Sequence, residues 1–233
     1  MAAIDWINVN LIPNLSTRWG EFWEATVATI VMTLGSGVFI VLVGMVLGII
    51  LTVTREGGLE PNRRVFKVLD FLTNVFRSIP FIILMTALIP LTRRLVGTSI
   101  GVRGAIFPLV IGAIPFYTRQ VESALSKVDP GLIEATLAMG DTTRDVIFNV
   151  YLRESVPQLI RGTVITLISL LGLTAMAGTV GAGGLGDFAV RLGHGRGYID
   201  CTWAAVIILL LMVTVIQGVG SFAIRKVTHG KEV

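Results

Sequence analysis

Cysteine and histidine are nearly absent. Cys201 stands alone, and His194 and His229 lie far apart without cysteine partners. No intramolecular disulfide can form and the spacing of a structural metal site is missing, so redox and metal chemistry drop out as functions. Charge is also scarce, at 15% of 233 residues against 53% hydrophobic. A water-soluble domain with that balance would expose very large apolar patches, so the solvent for most of this chain is lipid. A short apolar core near the start is lacking too. The first apolar run begins at Ala25 and is too long for a signal-peptide core, which predicts a retained N-terminus.

What the chain has in excess is glycine, 26 residues, as expected where membrane helices approach through small side chains. The net charge of +4 does not indicate nucleic acid, because the lysines and arginines are spread in small groups between apolar runs. Uncharged stretches run over 25–54, 78–92, 104–118, 162–186 and 201–224, and about 20 residues cross a bilayer core. The second reaches that length by including 71–77, and the third by borrowing from 95–102 across Arg103. The expectation is an all-α integral membrane protein with five transmembrane helices.

Lysine and arginine set the orientation. With the C-terminus inside, the inner segments hold Arg55, Arg63, Arg64, Lys67, Arg119, Lys127, Arg144, Arg153, Arg161, Arg225, Lys226 and Lys231. The outer segments hold only Arg18, Arg93, Arg94, Arg103, Arg191 and Arg196. This predicts a periplasmic N-terminal segment over 1–24, a transmembrane region over 25–224 and a cytoplasmic tail over 225–233. It also places Cys201 near the periplasmic face. Gly44 and Gly48 form a small-xxx-small step that serves helix packing. Pro80, Pro90, Pro108 and Pro115 mark the middle two spans as candidates for bent helices lining a path.

The longest inner segment, 119–161, carries its own helix punctuation. Asp129 is placed as N-cap with Pro130 at the first helical position, starting a short helix that ends near Gly140. Thr142 and Asp145 resemble a capping box for a second helix, with Val146, Ile147, Val150 and Tyr151 as its apolar stripe. Two short helices meeting at a glycine make a knob suited to a partner's groove.

Glu134-Ala135-Thr136-Leu137-Ala138-Met139-Gly140 resembles the Glu-Ala-Ala motif of bacterial ABC importer permeases, with Thr136 in place of the second alanine and Arg153 in place of a later proline. Pro157 is the candidate for the break that follows. The block 74–84, then Ile89-Pro90-Leu91-Thr92-Arg93 and Gly97-Thr98-Ser99-Ile100-Gly101, resembles the methionine-importer branch of that class. So do Ala175-Met176-Ala177-Gly178 and 180–187. The likeness covers almost all of 25–224.

That resemblance implies a type I ABC importer permease fold in the inner membrane, working as a homodimer. Two cytoplasmic ATPase subunits would bind ATP and Mg, and this chain would bind no cofactor. A periplasmic lipoprotein would deliver methionine, L or D, for transport by alternating access. It assigns ATPase coupling to Glu134, Ala135, Met139, Gly140 and Asp141. Arg77, Ser78, Pro80, Met85, Tyr117, Ser169, Thr174 and Met176 are the substrate-path candidates. Arg77 is a cation in an apolar setting, and such groups are costly enough to be functional candidates, though it could also snorkel or pair with Asp70.

Gly181-Ala182-Gly183-Gly184-Leu185-Gly186 matches a dinucleotide fingerprint, but it follows a membrane helix rather than a strand and reads as a packed outer turn. No phosphate-binding loop ending in Gly-Lys-Ser or Gly-Lys-Thr occurs, so ATP hydrolysis falls to another subunit. A permease for another amino acid or glycine betaine is the alternative reading. A secondary transporter would be expected to show internal repeats and mid-span carboxylates, and neither is evident. A membrane scaffold would need no ATPase.

Overall fold

A computed structural model describes residues 13–228, all of whose regular elements are helical. His229 and Lys231 lie outside the described residues. α1 (Pro13–Ser16) leads into α2 (Trp19–Thr54), which at 36 residues is about 54 Å long and exceeds the roughly 30 Å hydrocarbon core. α3 (Arg63–Ser78) starts where the Asn62 side chain accepts from the backbone N–H of Arg64 and Val65, at 3.2 Å each. α4 (Phe81–Ala87), α5 (Ile89–Val96) and α6 (Gly101–Leu125) follow.

Next come α7 (Pro130–Ala138) and α8 (Thr143–Asp145). A π-helical stretch, Val146–Leu152, joins α8 to α9 (Arg153–Ala177), and a second irregular turn, Gly178–Ala182, leads to α10 (Gly184–Phe188). α11 (Ile199–Thr228) closes the chain.

Among the described residues four helices are long and apolar enough to cross a membrane: Trp19–Thr54, Gly101–Leu125, Thr143–Ala182 and Ile199–Thr228. Five is reached by counting α3 and α4 as one broken span. The expected second span is therefore not a continuous helix. Proline disfavours helical backbone in the residue before it, and Ile79 is extended at φ −81°, ψ 123°, so the chain breaks ahead of Pro80. Pro90 sits in the first turn of α5, while α6 runs on through Pro108 and Pro115. The third span also finds its length differently from expectation. It gains residues beyond Thr118, out to Leu125, and begins only at Gly101. Pro157 does not break the chain either, since α9 continues through it.

The residues divide into two compact units. One contains residues up to 37, 81–110 and 168–215. Its core joins Phe22, Ala25, Leu185, Phe188, Leu192, Cys201 and Ala205, with the Phe22 and Phe188 rings 5.5 Å apart. The Asp200 carboxylate accepts from the backbone N–H of Asn14 at 2.8 Å and of Leu15 at 2.9 Å, which fixes α1 to the start of α11. Cys201, expected near the periplasmic face, is fully buried. Gly181 to Gly186 form a tight turn here. A side chain on Gly186 would run into the Ala175 backbone, and the Leu185 N–H donates to Thr29 Oγ1 at 2.9 Å.

The other unit contains 38–80, 111–167 and 216 onward. Gly44 and Gly48 bring α2 against α6 as their spacing suggests. A Cβ on Gly44 would meet Tyr117 Cδ1 at 2.8 Å, and one on Gly48 would meet Val121 Cβ at 2.5 Å.

Candidate functional site

The segment 129–152 forms a knob in which both ends of α7 and the start of α8 are fixed by local hydrogen bonds. Asp129 Oδ1 accepts from the Gly131 N–H at 2.8 Å, with Pro130 filling the first helical position. At the other end of α7 the Gly140 N–H reaches the Leu137 carbonyl at 3.0 Å and the Asp141 N–H reaches the Thr136 carbonyl at 3.4 Å. Those two bonds make a Schellman motif with Gly140 as its left-handed residue, at φ 95°. A Cβ there would meet nothing within 4 Å, so the demand for glycine is conformational and not steric.

The capping box is present. Asp145 Oδ2 accepts from the Thr142 N–H at 3.0 Å, and Thr142 Oγ1 accepts from the Asp145 N–H at 3.4 Å. Val146, Val150 and Tyr151 are buried as the stripe requires, and Ile147 is half-buried. The expected second short helix is instead the first turn of a 40-residue helix, Thr143–Ala182. The knob is thus continuous in sequence and in helix with a membrane span.

Glu134, Ala135, Met139, Gly140 and Asp141 are all exposed on this knob. Met139 is 76% exposed, and Leu132, Leu137 and Phe148 are also bare, Phe148 at 67%. An apolar surface of that kind beside two free-standing carboxylates fits a partner cleft with an apolar floor and a basic rim. Sequence reading missed Phe148. Its only signal was an aromatic side chain off the buried stripe.

The substrate-path candidates are not brought together as one site. Arg77 and Ser78 end α3 in exposed positions, with Ser78 Oγ donating to its own helix at Asn74. Pro80 is exposed at the break. Met85 is buried beside a cavity of about 20 Å³, far too small for an amino acid. Tyr117 is buried with its hydroxyl 2.9 Å from Thr163 Oγ1. Thr174 is buried and donates to the Leu171 carbonyl. Ser169 and Met176, seven residues apart on α9, are exposed on one face with Gly172 between them.

Arg77 does not pair with Asp70. Arg119 takes Asp70, and the same guanidinium holds Glu122 at 2.6 Å and Asn74 at 3.0 Å. Arg77, in the last turn of α3, makes no hydrogen bond or ion pair among the described residues, and its charge favours that helix end. Outside the spans, Arg191 bridges Asp187 at 3.0 Å and Glu21 at 3.5 Å. The Asp187 hydrogen bond raises its pKa further above the usual guanidinium value.

A family model described as a binding-protein-dependent transport system inner membrane component matches residues 44–229. A probable D-methionine transport system permease protein of Vibrio cholerae is 43% identical over 205 residues, which are 88% of this chain and 91% of the relative. The methionine import system permease protein of Bacillus subtilis is 45% identical over 200 residues, 86% of this chain and 90% of its own. A chain from the inward-facing MetNI methionine ABC transporter superposes with a TM-score of 0.86 at 41% identity, over 91% of this chain and 98% of that one.

Proposed function

This chain belongs to the family of inner-membrane components of binding-protein-dependent transport systems, and from that premise we propose that it is the permease subunit of an ATP-driven importer for methionine. It is a multi-pass inner-membrane protein and a transport subunit, not an enzyme. The observation that carries the mechanism is the knob at 129–152, whose helix α7 is capped at both ends, exposed at its surface and continuous with the helix Thr143–Ala182. A movement imposed on such a knob passes into the membrane without a flexible joint. Methionine as cargo rests on the relatives named for it.

In this reading two copies of the chain enclose the path, and each knob docks on a cytoplasmic ATPase subunit that binds ATP and Mg. A periplasmic lipoprotein delivers the amino acid. Closure of the ATPase pair on ATP pulls the knobs together, and the helices joined to them switch the path from inward- to outward-open. Glu134, Ala135, Met139, Gly140 and Asp141 form the docking surface. Ser169 and Met176 are the best-placed lining residues among the path candidates, because they are exposed on one face of the helix joined to the knob. The excess of lysine and arginine in 119–161 and 225–233 supports a cytoplasmic knob and C-terminus, with 1–24 periplasmic.

The test is reconstitution of the whole complex in vesicles, with L- and D-methionine offered separately as radiolabelled substrates. ATP-dependent accumulation of either, competed by unlabelled methionine, is the expected result. Uptake of glycine betaine with none of methionine would overturn the substrate, and uptake without any ATPase would overturn the importer class.

A further inference from the structure

α6 passes through Pro108 without ending. Proline has no backbone N–H, so the carbonyl of Gly104, one turn back, receives no hydrogen bond from residue 108. A bare carbonyl inside a membrane protein is costly, and a neighbouring helix, a Ser or Thr side chain or an ordered water has to serve it. Gly104 and Pro108 both line a cavity of about 20 Å³, together with Met85 and Thr86 of α4, Thr92 of α5 and Ser99 of the turn ahead of α6. All of them belong to one compact unit. None of the three hydroxyls serves the carbonyl directly. Thr86 donates to the Ile83 carbonyl at 2.9 Å and Thr92 to the Leu88 carbonyl at 2.8 Å. Ser99 Oγ accepts from Arg93 Nε at 2.9 Å, and its hydroxyl donates to no group among the described residues.

Size and charge select the occupant. A water needs roughly 10–15 Å³ and an acyl chain or amino acid far more, so a cavity of about 20 Å³ fits a single water. A cation would sit beside the Arg93 guanidinium, and an anion would face the negative end of the Gly104 carbonyl, which leaves a neutral dipole. The polar partners also match. A buried water makes about three hydrogen bonds, and one free donor, the Ser99 hydroxyl, borders this space with two acceptors, the Gly104 carbonyl and Thr86 Oγ1. Thr86 is exposed and Ser99 half-buried, so both oxygens have room for a further partner, whereas Thr92 is 1% exposed.

We propose that this cavity binds one ordered water, which donates to the Gly104 carbonyl and to Thr86 Oγ1 and accepts from the Ser99 hydroxyl. The water replaces the hydrogen bond that Pro108 removes, and it ties α6 to α4. The course of α6 through the proline is thereby held by an exchangeable molecule and not by a fixed side chain.

The experiment is hydroxyl-radical footprinting of the complete complex in vesicles, with the radicals made in two ways. X-ray radiolysis splits a bound water in place, and its radical attacks the nearest reactive side chain, here the Met85 thioether. Met85 is only 5% exposed, yet it should be oxidised severalfold faster than Met32, which is fully buried on α2. Radicals made only in bulk water by a laser pulse should leave both methionines unmodified. Thr86→Val and Ser99→Ala each remove one partner of the water, and Pro108→Ala returns the missing N–H to Gly104. Each should lower X-ray oxidation of Met85 severalfold, while Ser99→Thr, which keeps the hydroxyl, should not. Membrane abundance is measured alongside, and the wild-type comparison decides by itself if a variant does not accumulate. Met85 as inert as Met32, equal oxidation of Met85 by bulk radicals, or unchanged oxidation in all three of the first variants would each overturn the proposal.

Discussion

Arg119 on α6 joins Asp70 on α3 while also holding Glu122 on its own helix, so one guanidinium serves two carboxylates and the Asn74 amide. Its side chain is 20% exposed and that of Glu122 18%, so little water screens Glu122 if the cation is lost, while Asp70, 36% exposed, keeps contact with solvent.

Arg119→Ala is therefore expected to destabilise by about 2 kcal/mol, the scale of a hydrogen bond to a charged group, and Asp70→Asn by less. Arg119→Lys should fall between them, because an ammonium cannot fork to two acids as a guanidinium does. Melting temperatures of the purified permease check the order. A lysine variant as stable as the wild type would mean that charge alone matters at this position.

At Gly140 the open space around the Cα makes a graded prediction possible. Only the positive φ is at stake, so Asn should be tolerated, Ala should cost about 1 kcal/mol and Val more. Co-purification of the ATPase should fall in that order with membrane abundance unchanged. A Gly140→Asn variant as uncoupled as Gly140→Val would point to a side-chain clash with the partner instead.

On the knob surface, Met139→Ala and Phe148→Ala remove the most exposed apolar groups and should each weaken ATPase binding by about 2 kcal/mol if they seat in its cleft. Glu134→Lys acts at the rim, so its effect should shrink as salt is raised. Binding measured at low and high salt separates the two kinds of contact. Salt-independent loss in Glu134→Lys would place that carboxylate inside the interface.

Burial of Cys201 means that an impermeant thiol reagent should not label the native protein, and should do so only after denaturation. Orientation is better read from Arg196→Cys in a Cys201→Ala background, since Arg196 is exposed just ahead of α11. Labelling of that variant from outside in spheroplasts is the expected result. Labelling only after permeabilisation would reverse the orientation.

Features that close within one turn were legible in the amino-acid sequence. Asp129 with Pro130, Thr142 with Asp145, and the glycine that ends α7 are set by hydrogen bonds spanning two to five residues, so local composition is enough to place them. Long uncharged runs likewise determined that lipid is the solvent, because no other medium accepts 53% hydrophobic residues in this pattern. Tertiary structure decided the rest. The sequence argument offered Asp70 one cation, Arg77 on its own helix, and only the packing of α3 on α6 supplies Arg119, 49 residues away. Cys201 sits at the start of an apolar helix where exposure and burial look alike in sequence, and the Phe22–Phe188 cluster that covers it is assembled from distant segments. Pro80 and Pro157 are the same residue, yet one separates two helices and the other is carried through. A proline removes one backbone donor wherever it stands, and the neighbours that accept or refuse the resulting bend are brought together only by the fold.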